Sequence, residues 1–255
     1  MKVRILGSGT SSGVPRIGND WGACDPGNPK NRRTRASILV STETTRILVD
    51  TSPDLRQQLL AADVSDVDAV IWTHDHADHC HGIDDLRQIM HARGGEPVRG
   101  LARAFTREQL ELRFAYAFNG RALYRPTVRM EALPDAIRIG DIHVTVADQP
   151  HGGITSAGLR FNYDNKSIGY ATDFHEMKND MRALYSDLDL WVVDALRRAP
   201  HPTHPNLESV LGWAGELAPR QTVLVHMDNS MDYAELAATL PKGVEPGYDG
   251  MEVAL

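Results

Sequence analysis

The chain has 255 residues, enough for one large α/β domain with a sizeable buried core. A formal net charge of −7 argues against a protein that coats nucleic acid, and two cysteines, Cys24 and Cys80, are too few for a disulfide framework. No run of about 18 apolar residues occurs, so no membrane-spanning helix is expected. Met1–Gly7 runs straight into a strand and a glycine turn, unlike a signal peptide, and a cytoplasmic location is the expectation.

Val3–Leu6 reads as the first strand. Gly7-Ser8-Gly9-Thr10-Ser11-Ser12-Gly13 follows as a glycine- and hydroxyl-rich loop. It lacks the lysine of a phosphate-binding P-loop. Two readings stand: a tight turn between strands, or a loop whose N–H groups line a site. Residues 17–35 are polar and irregular, and Lys30, Arg32, Arg33 and Arg35 make them locally basic. That stretch reads as solvated surface or as an anion-facing loop, with Cys24 a structural residue. Ser37–Val40 and Arg46–Val49 form a hairpin. Ser52 is the expected N-cap and Pro53 the first turn of a helix carrying Leu55, Leu59 and Leu60. Asp50, at the strand end, is a turn residue or a carboxylate that orients a metal-bound histidine.

Ala69–Trp72 is a short apolar run, read as a buried strand. Directly after it comes Thr73-His74-Asp75-His76-Ala77-Asp78-His79, then a helix from Ile83 to Met90 with an acidic first turn. Three histidines and two aspartates within six positions would be costly to bury without a partner, and the histidines would repel one another if protonated. A bound cation removes both problems. His74 and His76 are two apart, so an extended loop can aim both at one ion. Asp78 and His79 can then turn towards a second. The spacing differs from the helical HExxH pattern, whose histidines share one helix face.

Residues 94–134 are the least periodic, and read as an elaboration on a single domain spanning 1–255. Thr106-Arg107-Glu108-Gln109 resembles a capping box, opening a helix through Leu110 and Phe114. His143–Ala147 alternates and leads to His151. Ala157–Tyr163 and Lys166–Ala171 flank Asp164-Asn165 as a hairpin, with Asp173 just beyond the second strand. Leu188–Val193 is apolar and ends in Asp194. A polar loop with His201 and His204 follows, then a helix through Val210 to Leu217, and a strand Gln221–Val225 that ends in His226. The last elements are a helix from Tyr233 to Leu240 and a turn at Tyr248-Asp249-Gly250 into a short strand.

His74, His151, Asp173, His204 and His226 all lie shortly after a predicted strand. If those strands share one core, their ends converge on one rim. His74, His76 and His151 would hold one ion, and Asp78, His79 and His226 a second. Asp173 would bridge them, because a carboxylate offers two oxygens and offsets cation–cation repulsion. Histidine-rich sites suit zinc, and histidine/carboxylate mixtures also take manganese or iron.

The string HxHxDH, followed at a distance by His151, Asp173 and His226, resembles the metallo-β-lactamase fold superfamily. Four further stretches are similar to the PhnP-type phosphodiesterases: Gly7-Ser8-Gly9-Thr10, His79-Cys80-His81-Gly82-Ile83-Asp84-Asp85-Leu86-Arg87, His204-Pro205-Asn206-Leu207, and Tyr248-Asp249-Gly250-Met251-Glu252. The resemblance implies an α/β fold, a four-layer αβ/βα sandwich with mixed sheets inside and helices outside. It implies a dinuclear hydrolase of a small, cyclic phosphodiester, using two divalent ions, manganese or zinc with iron a third candidate. Asp78 and His204 are the residues expected in catalysis, His204 as general acid or oxyanion stabiliser rather than a mere helix-entry residue. The expected partner is a small phosphodiester or nucleotide-like substrate, without membrane or bulk nucleic acid; a homodimer is allowed. Alternatives are an RNA 3′-processing nuclease, a lactonase, a thioesterase-like hydrolase, or a metal-bound sensor without turnover. PhnP-type relatives with an extra structural zinc hold it with clustered cysteines and a histidine. Here only Cys24 falls in that region and Asn229 stands at the histidine position, so no structural zinc is expected. His81, His91, His143, His175 and His201 read as structural or surface residues, and Asp75 has no assigned role.

Overall fold

A computed structural model describes all of residues 1–255. In chain order its strands are β1 (Lys2–Gly7), β2 (Ser37–Ser41), β3 (Arg46–Val49), β4 (Ala69–Trp72), β5 (Val98–Ala102), β6 (Val128–Ala132), β7 (Ala136–Ile139), β8 (Ile142–His151), β9 (Ile154–Tyr163), β10 (Lys166–Ala171), β11 (Leu190–Asp194), β12 (Gln221–Val225), β13 (Val244–Pro246) and β14 (Glu252–Ala254). The helices are α1 (Leu55–Ala62), α2 (Ala77–Cys80), α3 (Leu86–Ala92), α4 (Ala104–Arg113), α5 (Ala115–Asn119), α6 (Asn179–Tyr185), α7 (Leu207–Leu217) and α8 (Tyr233–Thr239). None is long and apolar enough to cross a membrane.

The strands form two seven-stranded sheets, ordered β14-β1-β2-β3-β4-β5-β6 and β7-β8-β9-β10-β11-β12-β13. Each starts with three antiparallel pairings and continues with three parallel ones. The C-terminal β14 completes the first sheet, in the position that β7 takes in the second.

The layering follows from the two-residue period of a strand. In β3, Ile47 and Val49 face the opposite sheet while Leu48 faces outwards; in β4, Ala69 and Ile71 oppose Val70 and Trp72. β11 and β12 repeat the pattern: Leu190, Val192, Val223 and Val225 point inwards, Trp191, Val193 and Leu224 outwards. Being apolar on both faces, these strands can sit only between two layers. One core fills the space between the sheets. A second lies under α1, α3, α4 and α5, and a third under α6, α7 and α8. The result is the four-layer αβ/βα sandwich.

Several local expectations need correction. Ser52 does not cap α1: its Oγ accepts the Asp54 N–H at 3.1 Å in the preceding turn, and the helix begins at Leu55. Leu60 faces solvent. Thr106 lies inside α4, which starts at Ala104, so the supposed capping box is helix interior, and Phe114 breaks the segment into α4 and α5. The non-periodic stretch 94–134 contains β5 and β6, which extend the first sheet's parallel half. In the Asp164-Asn165 turn both residues have positive φ, as a tight hairpin requires.

The loop after β1 is a structural clasp. Asp249 accepts the Ser8 N–H at 2.9 Å and the Thr34 N–H at 2.7 Å, and the Gly9 N–H donates to Thr34 O at 2.8 Å. A Cβ on Gly7 would meet Arg35 O at 2.0 Å, so no larger residue fits. The basic stretch is surface only in part: Arg32 is exposed and Lys30 and Arg35 are half-buried, but Arg33 is not at the surface. Arg33 is 2% exposed and donates to the carbonyls of Asp228 and Met231; its guanidinium also contacts Cys24 Sγ at 3.6 Å. Arg35 pairs with Asp54 at 3.0 Å, Arg32 lies over Trp21, and Lys30 sits over the rings of Tyr233 and Tyr248. Asn229 binds the same loop, accepting the Ala23 N–H and donating to Asp20.

Candidate metal centre

His74 and His76 follow β4 in extended backbone, and Asp78 and His79 stand on the single turn α2. Gly82 lets that turn pack closely: a Cβ there would meet Ser52 O at 2.0 Å. From the second sheet come His151, the last residue of β8; Asp173, two residues past β10; Asp194, the last residue of β11; and His226, the first past β12. β10, β11 and β12 are parallel, with Ala171 level with Val193 and Asp194 level with Val225, so their ends share one rim. Asp50, Asp173 and His226 have φ of 64, 52 and 56°. A left-handed non-glycine residue costs about 1–3 kcal/mol and persists where surrounding structure over-determines it. Here it turns the chain sharply at three strand ends.

Two donor sets meet at Asp173. Its Oδ2 lies 3.7 Å from His74 Nε2 and 3.6 Å from His151 Nε2, and His151 Nε2 is 3.2 Å from His76 Nδ1. Its Oδ1 lies 3.2 Å from His79 Nε2 and 3.5 Å from His226 Nε2. Asp78 Oδ2 completes that side, 3.3 Å from His79 and 3.5 Å from His226. All seven residues singled out from the sequence as ligands therefore converge, in the two groups expected, with one Asp173 oxygen towards each.

The far sides of the His79, His74 and His151 rings are held. Asp50 accepts His79 Nδ1–H at 2.7 Å. It also accepts the Thr73 hydroxyl at 2.8 Å, and that oxygen in turn takes His74 Nδ1–H at 3.0 Å. His151 Nδ1–H donates to Thr203 O at 3.0 Å. For His79 and His151, whose Nδ1–H meets a carboxylate or carbonyl that can only accept, Nε2 is the nitrogen left facing inwards. A histidine prepared in this way is a metal ligand with its tautomer set.

Buried polar atoms normally find partners. His74 Nε2, His79 Nε2 and His226 Nε2 have none, and all three are fully or almost fully buried. Electrostatics agree. Burial opposes charge on His79 and His226, yet Asp173 and its fellow carboxylates outweigh it, holding His79 well above the usual histidine range and His226 at about 9. Burial, with His79 close by, pushes His74 well down. The carboxylates thus draw positive charge into a space where imidazoles alone supply it awkwardly. The donor set fits divalent cations.

His204 lies beside the second group, its ring stacked on His226 at 4.9 Å between centroids. His204 Nδ1–H donates to Asp194 Oδ2 at 2.8 Å, and its Nε2 is 3.8 Å from Asp173 Oδ2. Sequence reading passed over Asp194 as a mere strand end. Its signal was its place: β11 lies between the strands leading to Asp173 and His226. A cavity of about 330 Å³ opens onto the cluster, lined also by Ser11, Gly152, Gly153, Ile154 and Thr203. His76 is the exposed member of the cluster. Ser11 is thus the part of the glycine-rich loop that reaches the site. Asp75 turns away and pairs with Arg113 of α4 at 2.8 Å. His81 packs edge-on against Phe114, His175 Nδ1 accepts the Gly152 N–H, and His201 lies against His204.

Two stacked mixed sheets with a histidine/aspartate cluster at one rim define a metallo-β-lactamase-fold hydrolase. Residues 45–227 match the family model described as the β-lactamase superfamily domain, and the chain belongs to that superfamily. Within it the chain groups with PhnP-type members. The solved structure of a new diphosphatase from the PhnP family is 33% identical, with a TM-score of 0.90 over 99% of this chain and 96% of that one. Zn²⁺-bound PqqB from Methylobacterium extorquens shares the fold, with a TM-score of 0.80, 20% identity and full coverage of both chains. An octanoyltransferase of Porphyromonas gingivalis is 31% identical over the whole of this chain. The chain spans about half the length of that relative, 52% of it.

Proposed function

We propose that this protein is a two-metal phosphodiesterase acting on a small, cyclic phosphodiester. The observation that carries the reading is Asp173, whose two oxygens face two separate sets of donors, with the His204–Asp194 pair alongside. His74, His76 and His151 would hold one ion, Asp78, His79 and His226 the other, and Asp173 both. Bound there, manganese, zinc or iron would acidify a water and neutralise phosphoryl charge.

The chain's own residues do the rest. Asp50 holds His79 directly and His74 through Thr73, so neither ring reorients during turnover. His204 is the proton donor to the leaving oxygen. Its Nδ1–H is committed to Asp194, which fixes the ring's orientation, so the proton it gives leaves from Nε2. Ring opening of a cyclic diester expels a poor alkoxide, the case in which a proton matters most.

A second reading draws on the PhnP-family relative described as a diphosphatase: hydrolysis of a phosphoanhydride. There the leaving group is a phosphate, which needs little help from His204. Acyl transfer, named for a relative about twice as long, has no part in either reading.

The test is side-by-side turnover, by the purified manganese- or zinc-loaded protein, of ribosyl 1,2-cyclic phosphate, 2′,3′-cyclic nucleotides, bis-p-nitrophenyl phosphate and a dinucleoside diphosphate. The cyclic diesters should be cleaved fastest. Failure to cleave any diester sinks the proposal, and preference for the diphosphate replaces it with the second reading.

A further inference from the structure

Most arginines in the stretch that follows the metal-ligand motif are neutralised. Arg93 pairs with Asp66, Arg99 and Arg129 with Glu131, Arg103 with Asp135 and Asp148, Arg107 with Glu111, and Arg113 with Asp75. Arg87, Arg121 and Arg125 have no such partner, yet they line one cavity of about 340 Å³ with Tyr116, Tyr124 and Asp84. The single carboxylate does not offset them: Asp84 accepts the Tyr116 hydroxyl at 2.7 Å and pairs with none of the three. In a chain with 34 acidic residues against 27 basic ones, three converging guanidiniums without a carboxylate partner are an exception.

Like charges gathered in this way repel, and an anion relieves them. Guanidinium suits one anion class best, the planar fork matching phosphate oxygens. The aromatic residues add a second requirement. Tyr116 and Tyr124 are 46% and 59% exposed, and Arg87 lies over Tyr124 at 4.7 Å. An exposed aromatic face beside arginines suits a flat ring. The cavity shares no residue with the one over the metal cluster. Its volume is at the small end of ligand sites, suited to one mononucleotide-sized molecule rather than a polymer.

We infer that this cavity is a second binding site, for a mononucleotide: the phosphate on Arg87, Arg121 and Arg125, the base against the tyrosines. It stands independently of the proposed reaction. The site is built on Asp84 and the start of α3, on α5, and on the segment joining α5 to β6.

Calorimetric titration of the metal-loaded protein with AMP, adenosine and ribose 5-phosphate tests it. AMP should bind, with adenosine and ribose 5-phosphate each weaker by about tenfold or more, because each lacks one half of the recognition. The double variant Arg121→Ala/Arg125→Ala should weaken AMP by about tenfold or more. Both side chains are exposed, so the fold should persist, which circular dichroism checks. Tyr124→Phe should retain AMP and Tyr124→Ala lose about tenfold. No AMP binding overturns the inference. So does equal binding by the double variant, which would place AMP at the metal cluster, and so does ribose 5-phosphate binding as tightly as AMP.

Discussion

In the first sheet four candidate ligands, His74, His76, Asp78 and His79, come from one six-residue stretch after β4. In the second, His151, Asp173, Asp194 and His226 come from the ends of four different strands. The two sheets share one pairing plan, so the difference does not lie in topology. One half of the site is written into a local backbone path. The other exists only while β8, β10, β11 and β12 stay in register. The contiguous half should therefore tolerate conservative changes that the distributed half does not.

The largest expected effect is in the distributed half. Asp173→Asn keeps a residue that tolerates a φ of 52°, so it removes charge without disturbing the turn. Bound metal should fall measurably by elemental analysis, and diester hydrolysis by on the order of 10⁴-fold. Full metal content in this variant would break the bridging assignment.

His204→Ala comes next. Cleavage of an alkyl diester should drop by about 10²–10⁴-fold with metal content intact, and bis-p-nitrophenyl phosphate, with its better leaving group, should lose much less. Equal losses on both substrates would mean that His204 is not the acid.

Behind the contiguous half, Asp50→Asn, which alters the carboxylate holding His79 and Thr73, should lower metal affinity by about 10–100-fold, read by competition with a chelating dye. Asn again tolerates the left-handed backbone, here at a φ of 64°. An unchanged affinity would show that His79 and His74 need no support.

The smallest effect should be Arg113→Ala, which strips Asp75 of its partner. A loss of about 1 kcal/mol in urea unfolding is expected, since the arginine is partly exposed, with Arg113→Lys recovering part of it. A large loss of metal instead would show that α4 holds the ligand loop in place.

Particular residues show where sequence reading reached and where it stopped. The seven candidate ligands were legible because His74, His151, Asp173 and His226 combine a metal-binding side chain with a strand end, and His76, Asp78 and His79 crowd the stretch after one. Asp194 satisfied the same pattern and was passed over, since nothing local distinguishes a strand-ending aspartate that holds His204 from one that ends a turn. β5 and β6 were missed because the arginines, glycine and glutamate within them break the two-residue alternation. Leu60 and Thr106 failed the other way: a helical period was read correctly, but the phase of the face or the first turn was not. The basic stretch misled most. Arg33 has the composition of surface and lies buried among the carbonyls of a loop some two hundred residues further along the chain.

The sequence by itself determined the layering and the chemistry of the cluster. Apolar residues on both faces of β3, β4, β11 and β12 demand layers above and below, and the HxHxDH string has the chemistry of a cation site. Tertiary structure decided which carboxylate meets which ring. Asp50 on His79, Asp194 on His204, and the two oxygens of Asp173 pointing to different donor sets all depend on strand register and on left-handed residues at strand ends. Those are set by packing across the whole sandwich, and no local stretch of residues encodes them.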